Sequence, residues 1–453
     1  MTLNETFDSK KQIYAWSCFY IMTLIAVTIM SRSDVGKIST VMTIFAVLVS
    51  AFLSLENIFL LIVAIIPWGQ VFKIPNSYTA ATLLVLVFVI KSMVLSNRAM
   101  LHIKKTTFRI YASYCACLGI SIIASLIHNS DIMSVITFFL DFLFVIVGVQ
   151  MIADKRDIFE KVTFLFVIST ILVCFCSTLF PALSRSFGKV GEYSKANPGF
   201  SSLWDFGRLT LISIAFIVVD YLNYHEHVIL KTVGIAILLR YMIQIGRFSI
   251  LLGLACLLAC LPFITKQREV SIKKRVLFFI GMLLLFVLLL LVLYFFFYQD
   301  MVALRGVEAS DNGRFEVWKT YIDYLTKKPS IVLFGIGGGA ISSLGSTLNT
   351  ATAHNILLEK LVEFGVVGLV IVVYLLVRLY NSKKDNIWHN LYLLPLIAFL
   401  GTSLTQGTTG SLTFAILIIL CMCKESTDDS DECIEGDTSN LQESNEYEDT
   451  TFT

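Results

Sequence analysis

Charge, proline and alternating polarity are all in short supply in this chain. Asp, Glu, Lys and Arg together make 15% of the 453 residues, and the mean hydropathy is +0.78. That balance excludes an ordinary soluble globular protein and places the chain in a bilayer. Seven prolines beside 35 phenylalanines suit long helices packed against lipid. Period-two alternation is missing as well: segments such as 276 to 297 are apolar all round, which argues against a β-barrel. The Gly335 to Gly339 run lacks the Gly-Lys-Ser/Thr ending that a nucleotide phosphate loop needs, so no nucleotide-driven pump is encoded. Nine of the ten cysteines fall in apolar runs and Cys433 lies in the polar tail, so no disulfide framework outside the cell is expected. The three Cys-x-Cys pairs have no His or carboxylate clustered with them and read as small packing residues rather than metal ligands.

What is present is a succession of apolar runs. Fourteen are long enough to be candidate spans, near 12 to 30, 39 to 53, 56 to 72, 78 to 96, 110 to 127, 133 to 152, 158 to 180, 204 to 221, 228 to 246, 248 to 265, 276 to 298, 354 to 380, 390 to 405 and 410 to 423. The expected fold is therefore an all-α polytopic membrane protein. Basic clusters around Arg98 to Arg109, Lys155 to Lys161, Lys266 to Arg275 and Arg378 to Lys384 all fall on one side, which the positive-inside rule makes the cytoplasm. Segments 181 to 203 and 299 to 353 then face outward, and both termini are cytoplasmic. The domain division expected is 1-423 in the membrane and 424-453 as an acidic, Ser- and Thr-rich cytoplasmic tail with too little apolar surface to fold.

Several polar residues sit where hydrocarbon should be. Arg240, Gln244 and Arg247 fall at i, i+4 and i+7, so they share one face at the outward end of the ninth span. An arginine at the hydrocarbon centre costs on the order of 3 kcal/mol or more, so it is paired, lines a polar cavity or snorkels to the headgroups. Asp141, in the middle of the sixth span, either pairs with a buried arginine or serves a proton path. The outward segments add Arg185, Lys189, Lys195 and Arg208, then Arg305, Arg314 and Lys319, against the usual depletion of outward cations. An outward basic site at a membrane suits a lipid-linked anion, and guanidinium forks grip a diphosphate bidentately.

The long outward segment predicts an amphipathic helix over 312 to 328, with Phe315, Trp318, Ile322 and Leu325 at helical spacing, Pro329 ending it and Trp318 at the interface. His354 opens the twelfth span, with Asn355, Glu359 and Glu363 following on one stripe. An imidazole with a pKa near 6.5 can take a proton from a hydroxyl at neutral pH.

Five short elements in this order resemble a known signature: Arg185-Ser-Phe-Gly188 with Asn197-Pro198; Gly246-Arg247-Phe-Ser249; Asn312-Gly-Arg314-Phe-Glu-Val-Trp318; Phe334-Gly-Ile-Gly-Gly338; and Ala353-His354-Asn355-Ile-Leu-Leu-Glu359 running into Glu363-Phe-Gly365-Val-Val-Gly368. Together they resemble the O-antigen ligase and Wzy-type polysaccharide polymerase superfamily. The resemblance implies a glycosyltransferase without metal or cofactor, acting at the outer face of a bacterial plasma membrane on undecaprenyl-diphosphate-linked oligosaccharides. It implies diphosphate contacts at Arg185, Arg247 and Arg314 and a base at His354; Arg240 joins them on helical geometry alone. Gln244, Asn355, Glu359 and Trp318 are expected to support the site. Membrane lipids, a chain-length regulator and a flippase of the same pathway are expected partners; nucleic acid is not. The reading favoured by these residues is a polymerase, with a ligase to a lipid or protein acceptor and a lipid-linked oligosaccharide flippase as alternatives. A flippase of this size commonly has two similar halves, and this chain has no evident internal repeat.

Overall fold

The computed structural model describes residues 10–75, 78–95, 116, 119–127, 132–152, 158–188, 199–245, 248–264, 314–348, 353–381, 391–404 and 412–421. Among these residues the protein is helical throughout, with a single isolated bridge between Lys73 and Thr79. The helices are α1 Lys10–Met30, α2 Val35–Ser50, α3 Leu55–Ile65, continuing as a 3₁₀ turn over Ile66–Phe72, α4 Ala80–Leu95, α5 over 119–127, α6 Ile132–Ile152 and α7 Ile158–Leu179. There follow α8 Pro181–Gly188, α9 Leu203–Asn223, α10 Val228–Ile245, α11 Phe248–Ile264, α12 Arg314–Lys327, α13 Pro329–Phe334, α14 Ile341–Thr347, α15 Ile356–Asn381, α16 Leu393–Ser403 and α17 Leu412–Cys421. Helices cover the expected spans wherever these fall within the described residues. The expected span 276 to 298, the segment 189 to 198 and the tail from 424 lie outside them.

Among the described residues, four helices, Lys11–Met30, Leu55–Phe72, Ile158–Leu179 and Val228–Ile245, are long and apolar enough to cross a membrane by length and composition, and there are shorter apolar helices as well. Polar residues start several of them. Asp34 accepts from Gly36 N and Lys37 N ahead of α2, Ser54 accepts from Asn57 N ahead of α3, and Ser202 accepts from Asp205 N ahead of α9.

The main core joins α1 to α4, α6, α7, α9 to α11, α16 and α17 in one apolar cluster, with Phe59, Phe88 and Phe144 in mutual ring contact between α3, α4 and α6. Gly253 of α11 and Gly401 of α16 face each other, letting two backbones approach as small residues do in membrane bundles. Ends that alternate in the sequence reading meet their own kind. Ser39 bonds the backbone at Gln70 and Lys73, and Gln70 N donates to Phe200 O at 2.7 Å, all at one end of the bundle. Glu56 with Lys161, Glu160 with Tyr224 and Asp220 with Lys231 gather at the other.

A second, smaller apolar cluster belongs to the segment before α15. Tyr321, Leu325, Ile331, Ile336, Ala340, Ile341 and Leu344 pack with Ala353 and with Val362 of α15. The amphipathic helix expected over 312 to 328 is therefore present as α12, but its face differs from the expected stripe. Tyr321 and Leu325 are buried with Val317 packed beside them, while Ile322 is exposed. The local cluster sets which side faces protein, and the apolar Ile322 is left to the opposite side, where a membrane surface would meet it.

Candidate functional site

His354 stands at the junction of the small cluster and the bundle. Its backbone is in the left-handed region, φ 49°, which side-chain-bearing residues adopt rarely and at a cost. Both neighbours are tied. Trp318 Nε1 donates to Ala353 O at 2.7 Å, so the indole expected at the interface is engaged with the backbone just ahead of the histidine. On the other side Asn355 caps α15: its Oδ1 accepts from Leu358 N at 3.0 Å and its carbonyl accepts from Glu359 N at 2.8 Å. His354 itself is half-buried, held between an anchor and a cap.

Below it lies charge that the bundle encloses. Glu359 is 1% exposed and Arg208, in the second turn of α9, is 6% exposed. Arg208 is within electrostatic reach of both Asp205 and Glu359, and its guanidinium lies 4.8 Å from the centre of the Phe399 ring of α16. The Tyr321 phenol of α12 feels the same carboxylate: burial first, and then the charge of Glu359, pushes its pKa up to about 12, so it stays protonated at neutral pH. Four helices thus bring side chains around two buried opposite charges. The sequence reading named Arg208 among the outward cations without placing it in the site; the cost argument applied to Arg240 applies to it with equal force.

The glycine turn 335 to 340 packs against a break in α15. Gly365 has φ 67° and ψ −173°, interrupting the helix, and Gly335 has φ 75°. A Cβ on Gly335 would overlap the carbonyl of Glu363, and one on Gly365 would overlap that of Leu333, so each turn needs the other's bare Cα. The amides of this turn are all used. Gly335 N donates to Ile331 O, Ile336 N to Val362 O, Gly337 N to Glu363 O, Gly338 N to Ser121 Oγ, Gly339 N to Glu363 Oε1 and Ala340 N to Gly337 O. A phosphate cradle needs free amides pointing at the ligand, and this turn spends its own on the fold.

The remaining expected site residues that the structure describes stand mostly on α6, α8, α10 and α12. Arg185 is exposed in the last turn of α8, whose Ser184 Oγ donates to Gly199 O at 2.6 Å. Arg240 and Gln244 are exposed on α10, away from the face formed by Gly234, Leu238, Tyr241, Met242 and Ile245. Arg314 is the first residue of α12, and its side chain, like all of Arg247, lies outside the described residues. Asp141 of α6, left open between a buried partner and a proton path, acts electrostatically on Lys360 of α15.

Residues 232–373 match the family model described as O-Antigen ligase. Over that stretch the chain is similar to the O-antigen ligase family. The matched residues run from within α10 through α11 and the small cluster to most of α15, and so include Arg240, Gln244, Arg247, Arg314, Trp318, His354, Asn355 and Glu359. Arg185 and Arg208 precede them. No curated protein matches the chain. The superfamily acts on lipid-linked polysaccharide and its members are glycosyltransferase-like enzymes of helical membrane type, which agrees with the apolar helices here.

Proposed function

We propose that the protein is a polymerase that joins lipid-linked oligosaccharide repeat units at the outer face of a bacterial plasma membrane, with undecaprenyl diphosphate as the departing group. The observation that carries the site is His354, held between the Trp318 to Ala353 hydrogen bond and the Asn355 cap, over the buried Arg208 and Glu359. In the proposed step the imidazole takes the proton of an acceptor sugar hydroxyl, and the oxygen attacks the anomeric carbon of the donor chain. The bond from that carbon to the diphosphate oxygen breaks, and the carrier diphosphate leaves with both electrons. Arg247 and Arg314, with Arg185 and Arg240 at the approach, stabilise the charge that grows on it. One displacement inverts the anomeric centre. No metal or cofactor has a part in this scheme. The membrane part, 1-423, carries the reaction, and the acidic tail, 424-453, takes no part in it.

The ligase named in the family description would run the same chemistry with a lipid or protein acceptor. Extracted carrier lipids separate the readings. A strain lacking the gene is expected to hold single repeat units on the carrier at the outer face. The His354→Ala variant should reproduce this with protein still inserted, because loss of a general base costs on the order of 100-fold or more in rate. Mass spectrometry gives the chain length, and an impermeant lectin gives the side. Long carrier-linked polymer would turn the assignment to the ligase, inward-facing single units would turn it to a flippase, and a fully active His354→Ala protein would remove the base.

A further inference from the structure

One side chain fastens the glycine turn to the break in α15. Glu363 accepts Gly337 N on its own carbonyl at 2.9 Å and Gly339 N on Oε1 at 3.0 Å, while Oε2 meets Lys360 Nζ at 2.5 Å. Its side chain is 3% exposed and that of Lys360 is 23% exposed. At about 1.5 Å of rise per residue, Glu363 lies roughly 13 Å along α15 from His354, too deep for a carboxylate to remain ionised without partners. A carboxylate kept there only to neutralise Lys360 would not need the Gly339 amide as well. The turn it holds is continuous with the candidate base: Ile336, Ala340 and Ile341 pack in one cluster with Val362 and with Ala353, the residue before His354. Ser121 and Ser125 of α5 close the turn from its other side, Ser121 Oγ accepting Gly338 N and Ser125 Oγ donating to Ile336 O at 3.5 Å.

We propose that Glu363, paired with Lys360, is a positioning residue for the transfer reaction: it latches the glycine turn onto the broken helix and so fixes the first half of α15, with His354 at its head. The latch stands on the geometry of the turn, while its effect on turnover rests on the function proposed above. Asp141 of α6 lies within electrostatic reach of Lys360. The turn's glycines act through close backbone approach and not through phosphate binding.

The test uses full-length protein in lipid nanodiscs, read in two ways. Amide hydrogen exchange of the 335 to 340 peptide needs no substrate. Glu363→Ala is expected to raise that exchange about tenfold or more, the equivalent of losing one charge-assisted hydrogen bond. Turnover of lipid-linked repeat units should show a kcat lower by about tenfold or more, with KM within about twofold, as expected when a reacting group is mispositioned but the substrate still binds. Glu363→Gln, which keeps an acceptor for Gly339 N and loses the charge pair, should fall between the two in both readings, and it carries the test if the alanine variant does not insert. Unchanged exchange would overturn the latch whatever the protein's activity. Raised exchange with unchanged kcat would overturn its coupling to the reaction, and a raised KM alone would make Glu363 a substrate contact instead. Wild-type protein that exchanges slowly yet forms no polymer would count against the polymerase and leave the latch standing.

Discussion

At the end of the bundle away from His354, cations close on carboxylates of the adjoining helix: Lys161 lies 3.1 Å from Glu56, and Lys231 lies 2.8 Å from Asp220 while donating to Tyr224 O at 2.7 Å. Each pair joins two neighbouring helices, α3 to α7 or α9 to α10. At the other end Arg208, Glu359, Tyr321 and Phe399 bring four helices onto one spot, beside a left-handed His354 and two interlocked glycines. Pairwise clamps hold neighbours together and ask nothing of the backbone. Convergent charge with unusual dihedrals raises the free energy of the folded state locally, and such features persist where surrounding structure over-determines them, commonly at functional sites. The comparison therefore separates residues that keep the bundle assembled from residues that shape a site.

The largest expected effect comes from the interlocked glycines. Gly335→Ala and Gly365→Ala each drive a Cβ into backbone and place it at positive φ, so neither turn can yield by moving a side chain. More than about 3 kcal/mol of local stability should be lost, and polymer formation with it. Gly119→Ala, with nothing within 4 Å of the added carbon, should behave as wild type. Polysaccharide blots beside quantified membrane protein would check this, and active glycine variants would show that the site tolerates a broken lock.

Next come the buried cations. Lys161→Met removes the buried cation 3.1 Å from Glu56 and should cost about 3 kcal/mol or more, read as a lower thermal midpoint in detergent, with turnover per folded molecule kept. Arg208→Met removes the buried positive charge within electrostatic reach of Glu359 and should lower both. Equal loss of turnover in the two variants would erase the distinction between the ends. A smaller effect is expected at the cap: Asn355→Ala should cost about 1 kcal/mol, whereas Asn355→Asp, which still caps, should remain close to wild type in stability and turnover. Loss of turnover in the aspartate variant alone would make the amide a substrate contact.

Much of the helical layout was legible in the sequence because long apolar runs with few charges have one stable form in lipid. The existence of α12 was legible for a similar reason, and its orientation was not. Phe315, Trp318, Ile322 and Leu325 repeat at helical spacing, but periodicity cannot tell a protein-facing stripe from a membrane-facing one, and Tyr321 was hidden by its polar hydroxyl. The histidine at the mouth of α15 stood out as a titratable group at a span boundary. The glycine lock did not, because it joins Gly335 to Glu363 through backbone contacts that no local pattern encodes. Asp141 was legible as a costly residue, while the charge of Lys360 acting on it was not, since that depends on how distant parts of the chain come together.

The smallest effect sharpens the comparison from inside the site. Tyr321 is fully buried, and its phenol is raised from the ordinary value near 10 to about 12, by burial first and then by the charge of Glu359. Between those values the folded protein keeps a proton that the unfolded chain has lost. The resulting stability is fully present below about pH 10 and is lost as the pH rises through 12. Tyr321→Phe removes the titrating group and keeps the ring, so its thermal midpoint should fall less steeply than wild type between about pH 10 and 12, with neutral-pH turnover reduced by less than about tenfold. The pairs at the far end contain no tyrosine in the small cluster, so Lys161→Met should retain the wild-type alkaline slope. A Tyr321→Phe protein with that same slope would place the alkaline transition elsewhere, and would remove the phenol from the set of groups that feel the buried carboxylate.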